Sequence, residues 1–341
     1  MQRITEHPTY ISPIFSEFER AYVLTSERTQ KSALFAQIFD YSFKDLFDLF
    51  AEYGEAEYNV EYARFRNVVE LPLPKAKKTI IVCCSGGKDS LATILHYKKK
   101  KYRVILYHLK GINVTYKDEW KSVEKIAEVL KLPLVVEEVR LAGKQEWVEH
   151  PMKNMLLANM ALQYGIKNNL TTKIAFGNFS TSSLDSDPFE VCGGDCAEMW
   201  DAYTRIIQRL VPNFKLYTPL GNFQDTIDVL LENPQYLPYT QSCIGAYRYR
   251  DYLHKNNEEK FGIKLPEHNC GSCWKCCLEY CVFCDNGVYE YNEEYYKHCL
   301  EILRKTLRRE NGGKYSIEEV FDHYFFYGRE KSKYLGKKIA C

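Results

Sequence analysis

The chain has 341 residues, 45 % apolar and 27 % charged, the composition of an ordinary folded protein. Net charge is +1, with 46 Lys and Arg against 45 Asp and Glu, which argues against a polyelectrolyte surface for gripping duplex DNA or RNA. No apolar run approaches the ~18 residues that span a bilayer and no secretory leader is evident, so we expect a cytoplasmic protein without a membrane partner, whose 13 cysteines are free thiols or metal ligands rather than disulfides.

Four regions follow one another. Residues 1–76 form an N-terminal extension in which Phe35, Phe39, Phe43, Phe47 and Phe50 recur at three- and four-residue spacing, which suits helices packing on a core. Pro72-Leu73-Pro74, followed by Lys75-Ala76-Lys77-Lys78, reads as a boundary. Over 77–240 the texture alternates. Strands are predicted at 79–84, 103–109, 133–139 and 173–177. Helices are predicted at 89–101, from Thr115 to about 131, at 152–167 and at about 195–211. Thr115 can cap its helix, with Asp118 and Glu119 in the first turn. Repeated βα units with apolar strands predict an α/β fold, a doubly wound parallel sheet covered on both faces, with ligands beyond the C-terminal ends of the strands. A cysteine-rich region spans 241–285, and residues 286–341 read as a helical tail, clearest at Glu301–Arg309. The 27 tyrosines, including clusters at 289–296 and 324–327, read mainly as helix faces packed on the core.

Two motifs carry chemistry. The apolar run Thr79–Cys84 leads into Ser85-Gly86-Gly87-Lys88-Asp89-Ser90 and then into the helical stretch from Leu91. A strand, a glycine turn and a helix start make a phosphate cradle, because the helix end offers unpaired N–H groups and partial positive charge, and glycines let oxygens approach the backbone. This is not a Walker A loop: Asp89 follows Gly-Lys where Ser or Thr is required, and no glycine lies five positions before Gly87. The plain alternative is a glycine turn between a strand and a helix.

The second motif is Cys270-Gly-Ser-Cys273-Trp-Lys-Cys276, three thiols at C-x2-C-x2-C spacing. A tetrahedral zinc ion needs a fourth ligand, for which we choose Cys243, with Cys277, Cys281 and Cys284 as competitors. Buried free thiols or an iron–sulfur cluster are the alternatives. Cys277, Cys281, Cys284 and Cys299 read as free thiols.

The loop resembles the SGGxDS signature of the PP-loop ATP pyrophosphatases, which split ATP into AMP and pyrophosphate. The order of loop, sheet, Cys243 and cysteine cluster resembles the 7-cyano-7-deazaguanine synthase (QueC-like) family over roughly residues 78–285. Further local matches are Pro151-Met-Lys153-Asn154, Ile174-Ala-Phe-Gly177-Asn178, Gly194-Asp195-Cys196, Thr218-Pro219-Leu220 and Ser242-Cys243.

The resemblance implies a Rossmann-like sheet and an ATP-dependent C–N ligase. The enzyme would adenylate the carboxylate of 7-carboxy-7-deazaguanine and pass the acyl group to a nitrogen nucleophile, giving the amide and then, after a second activation by ATP, the nitrile. Ser85, Gly86, Gly87, Lys88, Asp89, Ser90 and Gly177 would bind ATP, with Asp89 positioning Mg²⁺. Lys153 would contact phosphate or carboxylate, or be a solvated helix charge. Asn154, Asn178 and Asp195 would face the deazaguanine, Asp195 having a helix N-cap as its bland role. Cys243, Cys270, Cys273 and Cys276 would hold a structural Zn²⁺, and a homodimer is compatible with the pattern.

The sequence departs from this family at Tyr107-His-Leu-Lys-Gly111, at Glu279 where an arginine is usual, and after Leu220. It also carries extensions of about 75 and 55 residues. Longer relatives occur in antiphage defence, and some are thought to join the deazaguanine to an amine of a partner protein. The extensions would then be docking surfaces. Two further readings are an inactive nucleotide- and zinc-binding scaffold and a tRNA sulfur transferase using Cys192, Cys196 or Cys281.

Overall fold

The computed structural model describes residues 78–110, 119–138, 150–177, 213–220, 223–241, 247–266 and 269–311, together with Cys243 and isolated positions from 200 to 211. The N-terminal extension, Thr115 and the tail beyond residue 311 lie outside the described residues, as do Cys192 and Cys196.

The first half alternates as its periodicity predicts: β1 (Thr79–Cys83), α1 (Lys88–Lys99), β2 (Arg103–Lys110), α2 (Glu119–Leu130), β3 (Leu134–Glu138), α3 (His150–Lys167) and β4 (Lys173–Ala175). Then come β5 (Lys215–Tyr217), α4 (Phe223–Leu231), a 3-10 helix over Pro234–Tyr239, α5 (Tyr247–Phe261), α6 (Trp274–Asp285) and α7 (Glu293–Asn311). The end of α1, α2 and α3 is followed by a left-handed non-glycine residue, Lys101, Lys131 and Asn169 respectively, which turns the chain back toward the sheet.

The five strands pair in the order β3-β2-β1-β4-β5, and every pairing is parallel. All five residues of β1 are buried. Their alternation shows why both faces must be covered. Ile80 and Val82, with Val104 and Leu106 of β2, pack in one core with Leu91 and Ile94 of α1 and Val123 and Ile126 of α2. Ile81 and Cys83 turn to the other face. There Ile81 approaches Gly165 of α3, and Cys83 Sγ lies 3.9 Å from the Leu157 carbonyl oxygen. The Tyr107 ring sits 5.9 Å from that of Tyr164 on the same helix. Side chains of one strand thus serve two helix layers, because successive residues point to opposite faces.

The chain winds outward from β1 through β2 to β3, then returns to the other side of β1 for β4 and β5. Crossovers that diverge from a central strand leave a crevice at its C-terminal end, where ligands bind in open parallel sheets. The residues that fill this position are Ser85–Ser90.

Several expectations shift in detail. The strand predicted at 173–177 is a ladder of three residues, although the Phe176 N–H still donates to the Tyr217 carbonyl at 2.9 Å. The helix predicted from Thr115 is described from Glu119. Of the helix predicted at 195–211, Trp200, Thr204, Arg205, Ile207, Gln208 and Val211 are described; the first five are helical and Val211 is not. Strand β5, α4, the 3-10 helix and α5 have no counterpart in the sequence reading.

One core runs through both halves. Ile80, Leu91 and Leu106 belong to the same buried cluster as Cys277, Phe283, Tyr295, Cys299 and Leu303 of α6 and α7. The cysteine-rich region is therefore packed onto the α/β layers rather than hung from them. Cys277, Cys281 and Cys284 recur on α6 at spacings of four and three residues and pack into this core with Cys299.

Candidate functional site

The loop is held shut by its two serines. Ser90 Oγ accepts from the Ser85 N–H at 3.2 Å and lies 3.2 Å from Ser85 Oγ. Gly86 has φ +78°, and a Cβ there would fall 2.9 Å from Ser122 Cβ, so α2 packs directly on its backbone. The Gly86 carbonyl accepts from the Gln241 N–H at 2.8 Å, which ties the loop to the segment that delivers Cys243. Gly177, at the end of β4, packs against the start of α1. A Cβ there would lie 2.4 Å from both the carbonyl carbon and oxygen of Asp89.

Gly87 is the N-cap of α1 and no side chain caps the helix. The first-turn N–H groups have no intrahelical acceptor, and the helix end carries partial positive charge. An anion the size of a phosphate matches both features.

Two acids and a lysine gather behind this opening. Lys88 is buried, with Nζ 3.8 Å from Asp89 Oδ2. The Asp89 side chain is 31 % exposed, yet its Oδ1 is enclosed and lacks a hydrogen-bond partner. Burial pushes the Asp89 pKa up, while the charges of Lys88 and Lys275 and the neighbouring Thr226 hydroxyl pull it back. Glu279 of α6 is 2 % exposed. Burial pushes its pKa up too, Lys88 and Asn269 pull it down, and Asp89 adds to the rise. Asp89, Lys88 and Glu279 are therefore one electrostatic group although they stand 190 residues apart in the chain (279 − 89).

The predicted site residues divide in three. Ser85, Gly86, Gly87, Lys88, Asp89, Ser90 and Gly177 come together at the C-terminal end of β1. Asn154 is buried in the first turns of α3, and Lys153 precedes it on the same helix. Asn178 and Asp195 lie outside the described residues. Sequence reasoning missed Gln241 and Thr226, which have no local signature. It flagged Glu279 as a departure without giving it a role.

The second centre is a cluster of thiols. The sulfurs of Cys243, Cys270, Cys273 and Cys276 all lie within 4.8 Å of one another, so this group can hold a metal ion. Cys243 is the fourth member, and the competing Cys277, Cys281 and Cys284 are not in the group. Cys273 Sγ is 3.3 Å from Cys276 Sγ and 3.9 Å from Cys243 Sγ. Sulfurs bound tetrahedrally at ~2.3 Å to one metal would be about 3.8 Å apart.

The backbone folds around the sulfurs. Cys270 Sγ accepts from the N–H groups of Ser272 at 3.3 Å and Cys273 at 3.2 Å. Cys273 is the N-cap of α6, and its sulfur accepts from the Cys276 N–H at 3.5 Å. Asn257 of α5 donates to the Cys270 carbonyl at 2.9 Å and to Ser272 Oγ at 2.8 Å. Hydrogen bonds from the Cys243, Cys270 and Cys276 thiols hold the Cys273 thiol well below its ordinary pKa, while contact with Cys270 pushes Cys243 up. Packed thiols cannot all ionise together, and a divalent cation removes that conflict.

The two centres share α6, which begins in the knuckle and carries Glu279 to the loop. Among the described residues no helix is long and apolar enough to cross a membrane. No family model matches this chain, and no curated protein matches it.

Proposed function

We propose that this protein is a PP-loop ATP pyrophosphatase of the 7-cyano-7-deazaguanine synthase type. On this reading the parallel sheet is a Rossmann-like doubly wound sheet, Ser85–Ser90 is the ATP loop, and the thiol cluster holds a structural Zn²⁺. Four thiolates suit zinc and leave no open coordination position for catalysis. The observation that carries the reading is the uncapped start of α1 at the end of the central strand, stapled by Ser85 and Ser90 and backed by Gly177.

The chemistry follows from what a carboxylate needs. It does not react with an amine at neutral pH, because its oxygen is a poor leaving group. Attack of the deazaguanine carboxylate on the α-phosphorus of ATP expels pyrophosphate and leaves an acyl adenylate. A nitrogen nucleophile then displaces AMP. The N–H groups of α1 and the Ser85 and Ser90 hydroxyls would hold the phosphates, and Lys88 would offset the charge that builds on the pyrophosphate. Asp89 would position Mg²⁺, which supplies Lewis acidity at the phosphates when bound.

The nucleophile is ammonia or an amine of a partner protein, and the test measures both arms. Pyrophosphate release and product mass are followed in parallel with ammonia and with candidate partner proteins. A free amide or nitrile identifies a synthase, and a partner gaining the acyl mass identifies a conjugating enzyme. Absence of any deazaguanine-dependent pyrophosphate release refutes both.

A further inference from the structure

Four buried oxygens near the loop have no hydrogen-bond partner: Asp89 Oδ1, Thr226 Oγ1, Glu279 Oε2 and Asn269 Oδ1. Their residues are linked in series, Thr226 to Asp89, Asp89 to Glu279 and Glu279 to Asn269. Thr226, fully buried on α4, lies beside Asp89 and lowers its pKa, yet the hydroxyl completes no hydrogen bond. The Asp89 charge reaches Glu279 and adds to the rise of its pKa. Asn269 Nδ2 donates to Glu279 Oε1 at 3.4 Å, a long bond that leaves its own carbonyl oxygen unused. Tyr289 OH reaches the same Oε1 at 3.5 Å. Lys88 and Lys275 lend charge to the group, but neither gives these four oxygens a hydrogen bond.

Leaving one such group unsatisfied is costly, more so if it is charged, so four together call for an occupant. A water molecule has two protons to give. With both carboxylates ionised, their two oxygens and the amide oxygen accept without donating, and one water cannot serve all three. Two carboxylates, an amide carbonyl and a hydroxyl make an all-oxygen donor set, the kind that hard divalent cations take.

We propose that Asp89, Glu279, Thr226 and Asn269 form a preformed site for a hard divalent cation of the Mg²⁺ class, one that fills before nucleotide arrives. The proposal deepens the reading of Asp89 as the residue that positions Mg²⁺ and rests on it. It adds three residues from α4, α6 and the knuckle segment to a site that the loop alone would leave to the nucleotide. It also gives the thiol knuckle a task. Glu279 follows Cys276 by three residues on α6, so the knuckle fixes where this carboxylate stands. Two carboxylates beside a phosphate cradle would otherwise repel the phosphates, and a cation between them turns repulsion into a bridge.

The test uses the full-length, zinc-loaded chain without nucleotide, with Mn²⁺ alone as the probe. Free Mn²⁺ is read by its paramagnetic resonance signal, and Mg²⁺ is added as competitor. We expect about one Mn²⁺ per chain, displaced by Mg²⁺. Affinity should fall at least tenfold in Glu279→Gln and in Thr226→Val, which conserves shape but removes the oxygen. Mn²⁺ should also raise the melting temperature of the wild type and leave that of Glu279→Gln unmoved, because a ligand stabilises only the state it binds. If Glu279→Gln fails to fold, Thr226→Val decides alone. No bound Mn²⁺, or binding untouched by the variants, overturns the proposal. ATP turnover on the same samples separates the two claims. AMP and pyrophosphate formation without nucleotide-free Mn²⁺ binding sinks the cation site and leaves the enzyme reading intact. Mn²⁺ binding without that turnover does the reverse.

Discussion

The glycine loop and the thiol knuckle are both tight turns leading into a helix, yet they are finished in opposite ways. At the knuckle the sulfurs satisfy the local N–H groups, Cys273 caps α6, and the four thiols converge on one point. At the loop Gly87 leaves α1 uncapped, and oxygens of Asp89, Thr226 and Glu279 lack hydrogen bonds. A turn that closes on itself stabilises the fold. A turn with donors and acceptors left over is waiting for a ligand. The difference separates a centre closed on itself from one left open to a ligand.

Breaking the knuckle should have the largest effect on stability. Cys273→Ser removes a metal-binding thiolate while leaving a hydroxyl that can still cap α6. We expect zinc content well below one per chain and destabilisation by several kcal/mol, since structural metal binding contributes directly to folding. Elemental analysis with thermal melting checks this, and full occupancy with unchanged melting would mean the metal sits elsewhere. At the loop, Gly177→Ala puts a methyl group into the Asp89 backbone. Overpacking of this kind costs about 1–3 kcal/mol. Because the clash displaces the first turn of α1, turnover should drop at least tenfold while zinc content stays at one. Far from both regions, Lys99 pairs with Glu232 at 2.8 Å on the exposed outer surface. Lys99→Ala should cost no more than ~0–1 kcal/mol and leave both zinc and turnover unchanged, which sets the baseline for the other two.

What could be read beforehand follows from range. The strands β1 to β3 and helices α1 to α3 were legible because their apolar periodicities are long and local. The short β5 is three residues, too few for alternation to register, and its place in the sheet is decided by pairing with β4. The same holds for the sites. The spacing of Cys270, Cys273 and Cys276 reveals a knuckle, and the Ser85–Ser90 motif reveals a cradle, because each lies within one turn of chain. Choosing Cys243 over Cys277, Cys281 and Cys284 needed a wider pattern, since α6 itself carries three more thiols. That Glu279 and Thr226 converge on Asp89 left no trace in sequence. It arises because α4 packs on α1, and α6 shares with β1 and α1 a core built from residues far apart in the chain.

On the proposed reading, Ser85–Ser90 cleaves ATP between its α- and β-phosphates. The direct measurement identifies the products when the full-length protein is given ATP, Mg²⁺, 7-carboxy-7-deazaguanine and ammonia. We predict AMP and pyrophosphate in equal amounts, formed only with the deazaguanine present. Turnover should fall by roughly 10² or more in Asp89→Ala, of order 3 kcal/mol in the barrier. ADP and phosphate as the sole products, or turnover indifferent to Asp89, would contradict the account.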